Sequence, residues 1–143
     1  MKLWSRIAMV MMFVPLVASA QFRDLDAAMS NLDRGFGSGD VQAIVSGIGE
    51  GEQVMLQFPG LVEQSGFFGR DQAAYLLDGL FNKVKPSGFE QVSARKVSAE
   101  GQYHITARWT ISAGGQTEAR ELYVTLRNKN DRWSVVSIRS AGK

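Results

Sequence analysis

The stretch YHITARWTI, residues 103–111, alternates without interruption between apolar and polar side chains. Successive side chains of a β-strand point to opposite faces, so Tyr103, Ile105 and Trp109 would share one face. The polar side chains His104, Thr106, Arg108 and Thr110 would share the other face. The pattern predicts a strand with one face in a hydrophobic core and one face in solvent.

The same alternation continues on both sides of this stretch. Leu122, Val124 and Leu126 alternate with Glu121, Tyr123, Thr125 and Arg127. Turn sequences occur at Glu100-Gly101, at Gly114-Gly115 and over residues 128–131. We therefore expect about four strands after Gly88, and their short connections predict an antiparallel meander.

Helical periodicity dominates the residues before this sheet. Apolar residues from Phe22 to Phe36 recur at helical spacing, with Asp24 and Asp26 in the first turn, and predict a first helix that ends at Gly35-Phe36-Gly37. Asp40 is expected to cap a short second helix that runs to Ile48. The clearest helix combines Ala73, Leu76, Leu77, Leu80, Phe81 and Val84 on one face, before a stop at Pro86-Ser87-Gly88.

The residues between the second and third helices change to a period of two. Val54, Leu56 and Phe58 alternate with Met55 and Gln57. Pro59-Gly60 interrupts the pattern, and an apolar stretch from Leu61 to Phe68 follows. This arrangement predicts a β-hairpin.

The first twenty residues have the pattern of a cleavable signal peptide. Lys2 and Arg6 precede the apolar run Ile7–Val17, and Ala18-Ser19-Ala20 supplies the small residues of a cleavage site. We expect residues 1–20 to be removed and residues 21–143 to form one domain in the periplasm or outside the cell, without a stable membrane anchor. The chain has no Cys, so it forms no disulfide and carries no lipid-modified cysteine.

The net charge of the whole chain, +2, comes from the predicted signal peptide. Without Lys2 and Arg6, the chain has 14 basic and 14 acidic side chains. A near-neutral domain gives no reason to expect a nucleic acid partner. Residues 21–90 carry a net charge of −5 and residues 91–143 a net charge of +5, which indicates either a dipolar molecule or ordinary helix and strand surfaces.

Three short motifs in this order resemble the nuclear-transport-factor-2-like superfamily, which also includes ketosteroid isomerase. They are Gly39-Asp40 before the short helix, residues 68–73 at the start of the long helix, and residues 131–138 in the last strand. The resemblance implies an α+β fold in which N-terminal helices and a curved antiparallel sheet form a cone. The chain is most similar to small secreted bacterial members that are classed as domains of unknown function.

The resemblance also raises the question of catalysis, because enzymes of the superfamily place a proton-transferring carboxylate inside an apolar pocket. The expected inward positions, such as Val54, Ile105 and Val124, offer no acidic side chain. Glu63 is the nearest candidate and fits a surface position better. His104 is the only histidine, so no metal site with two histidines can form. We therefore predict no catalytic residue, no metal and no cofactor.

A ligand pocket is the main functional hypothesis from the sequence. We expect Tyr103 and Trp109 to form the floor of an apolar cavity that also contains Phe58, Leu77 and Phe81. The alternative is that Tyr103 and Trp109 are ordinary core residues. An anion site at Arg108 and Arg120 is a further hypothesis; against it, Glu121 and Glu118 are close enough to neutralise the two arginines by cross-strand pairing.

The sequence therefore favours an exported, non-catalytic module that binds a small apolar ligand or a protein. Two alternatives stay open: a small-molecule isomerase or hydrolase of the ketosteroid-isomerase-like type, and a structural partner of an envelope protein. The polar sheet face is predicted to mediate a homodimer, through His104, Thr106, Arg108, Tyr123 and Thr125. The alternative for that face is simple solvation.

Overall fold

The structure, a computed structural model, describes residues 24–97 and 101–142. The predicted signal peptide, its cleavage site and the start of the first predicted helix at Phe22 lie outside these residues. The elements, in chain order, are α1 (Leu25–Ser38), α2 (Val41–Val45), β1 (Val54–Gln57), β2 (Gly66–Phe68), α3 (Arg70–Lys83), β3 (Lys85–Val97), β4 (Gln102–Ala113), β5 (Gln116–Lys129) and β6 (Arg132–Ser140). This order agrees with the prediction from the sequence. Among the described residues, no helix has the length and apolar character needed to cross a membrane.

The six strands form one sheet in the order β2-β1-β6-β5-β4-β3. Strands β3 to β6 are an antiparallel meander, as predicted. The sequence did not predict that β1 runs parallel to β6, with Leu56 opposite Ile138. These two strands are far apart in the chain, so no local pattern specifies their pairing.

The predicted alternation on the sheet is confirmed. Ile105, Ala107, Trp109 and Ile111 are buried on one face of β4, and Leu122, Val124 and Leu126 continue that face on β5. The helices pack over this inner face, where Leu32, Leu77 and Leu80 join the same core. The hydrophobic core therefore lies between the sheet and the three helices.

Both N-terminal helices are capped by an aspartate: Asp40 was predicted as a cap, whereas Asp24 was expected in the first turn of its helix. Asp24 Oδ1 accepts a 2.8 Å hydrogen bond from the amide of Ala27 and caps α1. Asp40 caps α2 in the same way, at 3.3 Å from the amide of Ala43. Helix α1 continues past its predicted end to Ser38, and Gly39 closes it with a φ of 83°.

Gly35 lies inside α1 because this turn contacts α2 closely. A Cβ atom at Gly35 would lie 2.2 Å from Cγ1 of Ile44. The glycine was expected to stop the helix, but its function is to allow this close approach of two helices. The tight corner between α1 and α2 depends on it.

The predicted hairpin is shorter than expected. The return strand was expected from Leu61 to Phe68, but β2 contains only Gly66–Phe68. The amides of Leu61 and Val62 both donate to the carbonyl oxygen of Phe58, at 3.0 Å each, and turn the chain away from the sheet. Residues 58–65 therefore form a loop, which we call the hairpin loop.

The predicted stop at Pro86-Ser87-Gly88 is also corrected. Helix α3 ends at Lys83, and β3 begins at Lys85, so Pro86 lies within a strand. Strand β3 is at the edge of the sheet. An edge strand tolerates proline because the missing N–H leaves no hydrogen bond of the ladder unmade.

Candidate ligand-binding groove

Four of the five residues predicted to bind a ligand lie together in the core. Phe58, Leu77 and Trp109 are fully buried, and Phe81 is 7% exposed. The indole ring of Trp109 lies 6.1 Å from the ring of Phe58 and 6.5 Å from that of Phe81. The predicted facing of β4 and α3 is therefore present. A role of these residues in ligand binding stays a prediction.

Phe36 is the centre of this aromatic cluster, and the sequence analysis treated it only as a helix residue. Its ring lies 5.5 Å from Trp109, 5.9 Å from Phe81 and 6.4 Å from Phe58. The contacts with Trp109 and Phe81 are edge-to-face, the arrangement that aromatic quadrupoles favour. The helical spacing from Leu32 to Phe36 was the sequence signal that could have placed Phe36 in the core. Aromatic side chains thus occupy the space between α1, α3 and the sheet.

Tyr103, the fifth predicted residue, lies elsewhere. It is half-buried on the inner face of β4, and its ring is 5.8 Å from that of Trp133. Tyr103 lies six positions before Trp109 along β4, which corresponds to about 20 Å. The structure therefore does not bring Tyr103 together with the other four residues.

A groove of about 820 Å³ lies between the hairpin loop and α3. Leu61, Val62 and Phe68 supply one wall. The opposite wall is the outer face of α3, which includes Tyr75, Leu76, Gly79 and Lys83. We call this depression the α3 groove. Its walls are apolar near the core and polar at the rim.

The hairpin loop is held in place from both of its sides. Lys83 Nζ donates a 2.8 Å hydrogen bond to the carbonyl oxygen of Leu61 and links the loop to α3. Arg120 Nη1 donates a 2.9 Å hydrogen bond to the carbonyl oxygen of Pro59 and links the loop to β5. These two bonds fix the wall that faces α3, so the groove is a built feature of the fold.

Arg120 and Glu118 form an ion pair on the inner face of the sheet, a position that was not predicted. The side chain of Arg120 is only 7% exposed, and that of Glu118 is 37% exposed. Both residues lie on the same face of β5 as Leu122, since they precede it by two and four positions. The alternation of side chains along β5 was the sequence signal that could have placed both residues on this face. The expectation that Glu118 neutralises Arg120 is confirmed.

The ionisable side chains at the α3 groove are exposed. They are Glu63 in the hairpin loop and Asp71, Asp78 and Lys83 on α3. Glu63 was expected on the surface, and its exposed position agrees with that expectation. The carboxylates of the groove are therefore accessible to a molecule in solution.

The outer face of the sheet forms a second surface of interest. The hydroxyl of Tyr123 donates a hydrogen bond to Glu121 Oε1, and the guanidinium of Arg139 lies 5.7 Å from the ring centre of Tyr123. The bond to the Glu121 carboxylate raises the pKa of Tyr123 above its ordinary value of 10.0. His104 Nε2 lies 3.3 Å from Gln102 Oε1 on the same face. Within residues 24–97 and 101–142, no three His, Cys, Asp or Glu side chains are grouped as a metal site would require.

Comparison with known proteins identifies relatives of this fold. The family model described as "Domain of unknown function (DUF4783)" matches residues 29–140. No curated protein matches the chain in sequence. A crystal structure of a DUF4783 family protein from Bacteroides ovatus is 19% identical and has a TM-score of 0.63, with 80% of this chain and 93% of that chain covered.

Two further neighbours have a ketosteroid-isomerase-like fold. One is a protein from Catenulispora acidiphila in complex with trimethylamine, at 10% identity and a TM-score of 0.61, with 80% of this chain and 83% of that chain covered. The other comes from Erwinia carotovora atroseptica, at 18% identity and a TM-score of 0.60, with 82% of this chain and 91% of that chain covered. At these identities the likeness concerns the fold, and the predicted nuclear-transport-factor-2-like cone is confirmed.

Proposed function

Because the chain belongs to the DUF4783 family, whose members are domains of unknown function, we propose a function from the site itself: an exported, non-catalytic module that binds a small apolar ligand in the α3 groove. The observation that carries the proposal is the groove between the hairpin loop and α3. Its volume of about 820 Å³ falls within the range of roughly 300 to 1,000 Å³ that is usual for small-molecule sites.

The filled core supports the groove as the binding place. Phe36, Phe58, Phe81 and Trp109 occupy the space beneath the helices, where related enzymes hold their substrates. The groove instead offers apolar side chains that are only half-buried, namely Val62, Phe68 and Leu76. Covering this apolar surface with a ligand would be favourable, at roughly 25 cal/mol for each Å² removed from water.

Gly79 gives an independent argument for an open groove. It lies in the interior of α3, where a glycine costs about 1 kcal/mol relative to alanine. A Cβ atom at this position would meet nothing within 4 Å, so packing does not require a glycine. Gly79 lines the groove. Its missing side chain therefore leaves space there, at a cost in stability.

The enzyme alternative has less support. The carboxylates of the α3 groove are exposed, whereas the isomerase chemistry of this fold uses a carboxylate in an apolar pocket. One ketosteroid-isomerase-like neighbour is in complex with trimethylamine, which shows that a protein of this fold holds a small molecule. Binding without transformation is the function that fits the groove best.

A matched pair of variants at Gly79 tests the proposal. We expect Gly79→Ala to keep the groove open and Gly79→Leu to fill it, while both raise the helix propensity of α3. Fluorescence titration with the uncharged apolar probe N-phenyl-1-naphthylamine should show saturable binding to the wild type and to Gly79→Ala. Gly79→Leu should bind at least about tenfold more weakly, because the added side chain occupies the site. Equal binding by both variants would contradict the groove as the site.

Export and self-association complete the proposal. Removal of 20 of the 143 residues would leave a mature chain that starts at Gln21, and the intact mass of material recovered from the periplasm or medium tests this. A mass that retains Met1 to Ala20 would contradict export with cleavage.

The outer sheet face supports the proposed homodimer, because it exposes a large apolar side chain: Phe67 is 67% exposed.

A further inference from the structure

We infer that the ligand of the α3 groove is an amphiphile with a positive charge: an apolar chain that lies along the groove and an ammonium group beside Tyr75. The inference rests on the proposed function and names the chemical class of its ligand. Three features of the described residues carry it: the charges that line the groove, the exposed ring of Tyr75, and the position of two carboxylates on either side of that ring.

The first feature is the imbalance of charge at the groove. Three carboxylates line it, those of Glu63, Asp71 and Asp78, against one ammonium group, that of Lys83. The Lys83 ammonium already donates to the carbonyl oxygen of Leu61 at 2.8 Å, so it holds the hairpin loop that forms one wall of the groove. The lining therefore has a net charge of −2, which favours a cationic ligand and disfavours an anionic one.

The second feature is Tyr75, which is 84% exposed although it is a large aromatic residue. It lines the α3 groove and also a second, smaller depression that contains Gly39 and Val41. Its ring therefore stands on a ridge between two concave surfaces. An exposed aromatic face attracts ammonium groups through the quadrupole of its ring.

The third feature is the spacing along α3. Asp71 and Asp78 lie four residues before and three residues after Tyr75, so all three side chains project from the same face of the helix. Both aspartates line the groove together with Tyr75. An ammonium group over the ring would thus have a carboxylate on each side. Asp71 also lies in the first turn of α3, where a negative charge is favourable without any ligand.

The apolar part of the ligand has a defined place next to this group. Leu76 and Gly79 follow Tyr75 by one and four positions and line the groove, opposite Val62 and Phe68. A chain that starts at Tyr75 would pass over the open position at Gly79. The groove along α3 therefore accommodates a molecule with a charged end and an apolar body.

Three probes with the same eight-carbon chain test the inference: octylammonium, octanoate and octyl glucoside. At low ionic strength, isothermal titration should show octylammonium binding about tenfold more tightly than octanoate. Two carboxylates and one aromatic ring attract the ammonium group and produce this preference. The preference should shrink in about 0.5 M salt, because the groups are exposed and screened. Equal binding of the three probes, or tighter binding of octanoate, would overturn the inference and leave the groove proposal intact.

Variants assign the effect to the named residues. Asp71→Asn with Asp78→Asn should weaken octylammonium binding about fivefold and leave octyl glucoside binding unchanged. Tyr75→Leu should weaken octylammonium binding selectively as well. Asp33→Asn is the matched control, since Asp33 is an exposed helix carboxylate that does not line the groove. Loss of octylammonium binding in Asp33→Asn to the same extent would overturn the inference, because it would indicate a general charge effect.

The Gly79 variants separate this inference from the proposed function. If the wild type prefers octylammonium and Gly79→Leu abolishes binding of all three probes, both proposals are supported at the same site. Octylammonium binding that Gly79→Leu leaves unchanged would overturn the α3 groove as the site and, with it, the inference about its ligand. Octyl glucoside binding that Gly79→Leu abolishes, without any preference for octylammonium, would overturn only the inference.

Discussion

The indole Nε1 of Trp109 donates a 2.9 Å hydrogen bond to the carbonyl oxygen of Phe36, 73 positions away in the chain. Phe36 lies in the last turn of α1, where carbonyl groups have no partner within the helix. The bond therefore satisfies a buried acceptor at the helix end and joins α1 to the centre of the sheet. One side chain supplies both the aromatic packing and the polar contact of the core.

Truncation of Trp109 should be strongly destabilising. We expect Trp109→Ala to lower the free energy of unfolding by about 3 to 5 kcal/mol through a cavity among Phe36, Phe58 and Phe81. Trp109→Phe should lose less, about 1 to 3 kcal/mol, mainly because the Phe36 carbonyl loses its partner. Chemical denaturation measures both values, with Phe67→Ala as an exposed control. A loss below about 1 kcal/mol in Trp109→Ala would indicate open space beside the indole, as in the original cavity hypothesis.

Two glycines inside helices should respond in opposite ways to alanine. Gly35→Ala places a Cβ atom 2.2 Å from Cγ1 of Ile44, so we expect a loss of about 1 to 3 kcal/mol. Gly79→Ala meets nothing within 4 Å and should gain about 1 kcal/mol. Adding Ile44→Ala should reduce the cost of Gly35→Ala, which a double-mutant cycle of unfolding free energies detects. Destabilisation by Gly79→Ala would show that α3 is packed differently.

Loss of the Arg120 side chain should loosen the hairpin loop. We expect Arg120→Met to cost about 1 to 3 kcal/mol, since it removes hydrogen bonds to Pro59 and Glu118. Hydrogen exchange should accelerate most at the amides of Leu61 and Val62, which lie next to the lost anchor. Arg95→Met, at an exposed arginine of β3, is the control and should change little. Equal effects of the two variants would refute the anchoring role.

The proposed dimer should depend on the outer sheet face. Light scattering at about 50 µM should report a dimer if the interface has ordinary size and strength. Thr125→Glu should shift the protein toward the monomer, because it places a carboxylate in the middle of this face next to Ser137 and His104. Ser30→Glu on the exposed side of α1 is the control. A monomeric wild type at this concentration would refute the dimer.

Tyr123 should ionise at higher pH than a free tyrosine. The hydrogen bond to Glu121 raises its pKa, so the folded state holds the phenolic proton more tightly than the unfolded chain. Any stability from this bond is fully present below pH 10.0, the unfolded pKa, and is lost as the pH rises through the folded pKa. Titration of the tyrosine ring carbons by NMR should show a lower pKa for Tyr123 in Glu121→Gln. Glu118→Gln should leave the pKa of Tyr123 unchanged.

Local patterns in the sequence were sufficient for most of the fold. The alternation over residues 103–111 placed Ile105 and Trp109 in the core, as the structure confirms. Asp40 indicated where α2 begins, because capping depends on a side chain and the amide three residues ahead. These features depend on neighbours in the chain, so the chain alone specifies them.

Features that join distant residues were not predictable in this way. The parallel pairing of β1 with β6 and the close approach of Gly35 to Ile44 depend on how the elements meet in space. Glu118 was expected to neutralise Arg120, but the position of this ion pair on the inner face was not predicted. The predicted inward face of β5 began at Leu122, although the period of two extends back through the polar residues Arg120 and Glu118.

The sequence by itself determined the elements, their order, the inward face of the sheet and the aromatic residues that fill the core. Only the tertiary structure decided that Phe36 is the centre of that core and that the open space lies outside it, along α3. The physical reason is that a groove is the space left between elements. The hairpin loop, which forms one wall of the α3 groove, is held by two hydrogen bonds. Lys83 donates to Leu61 across 22 positions of the chain, and Arg120 donates to Pro59 across 61 positions. No pattern of neighbouring residues encodes contacts over such separations.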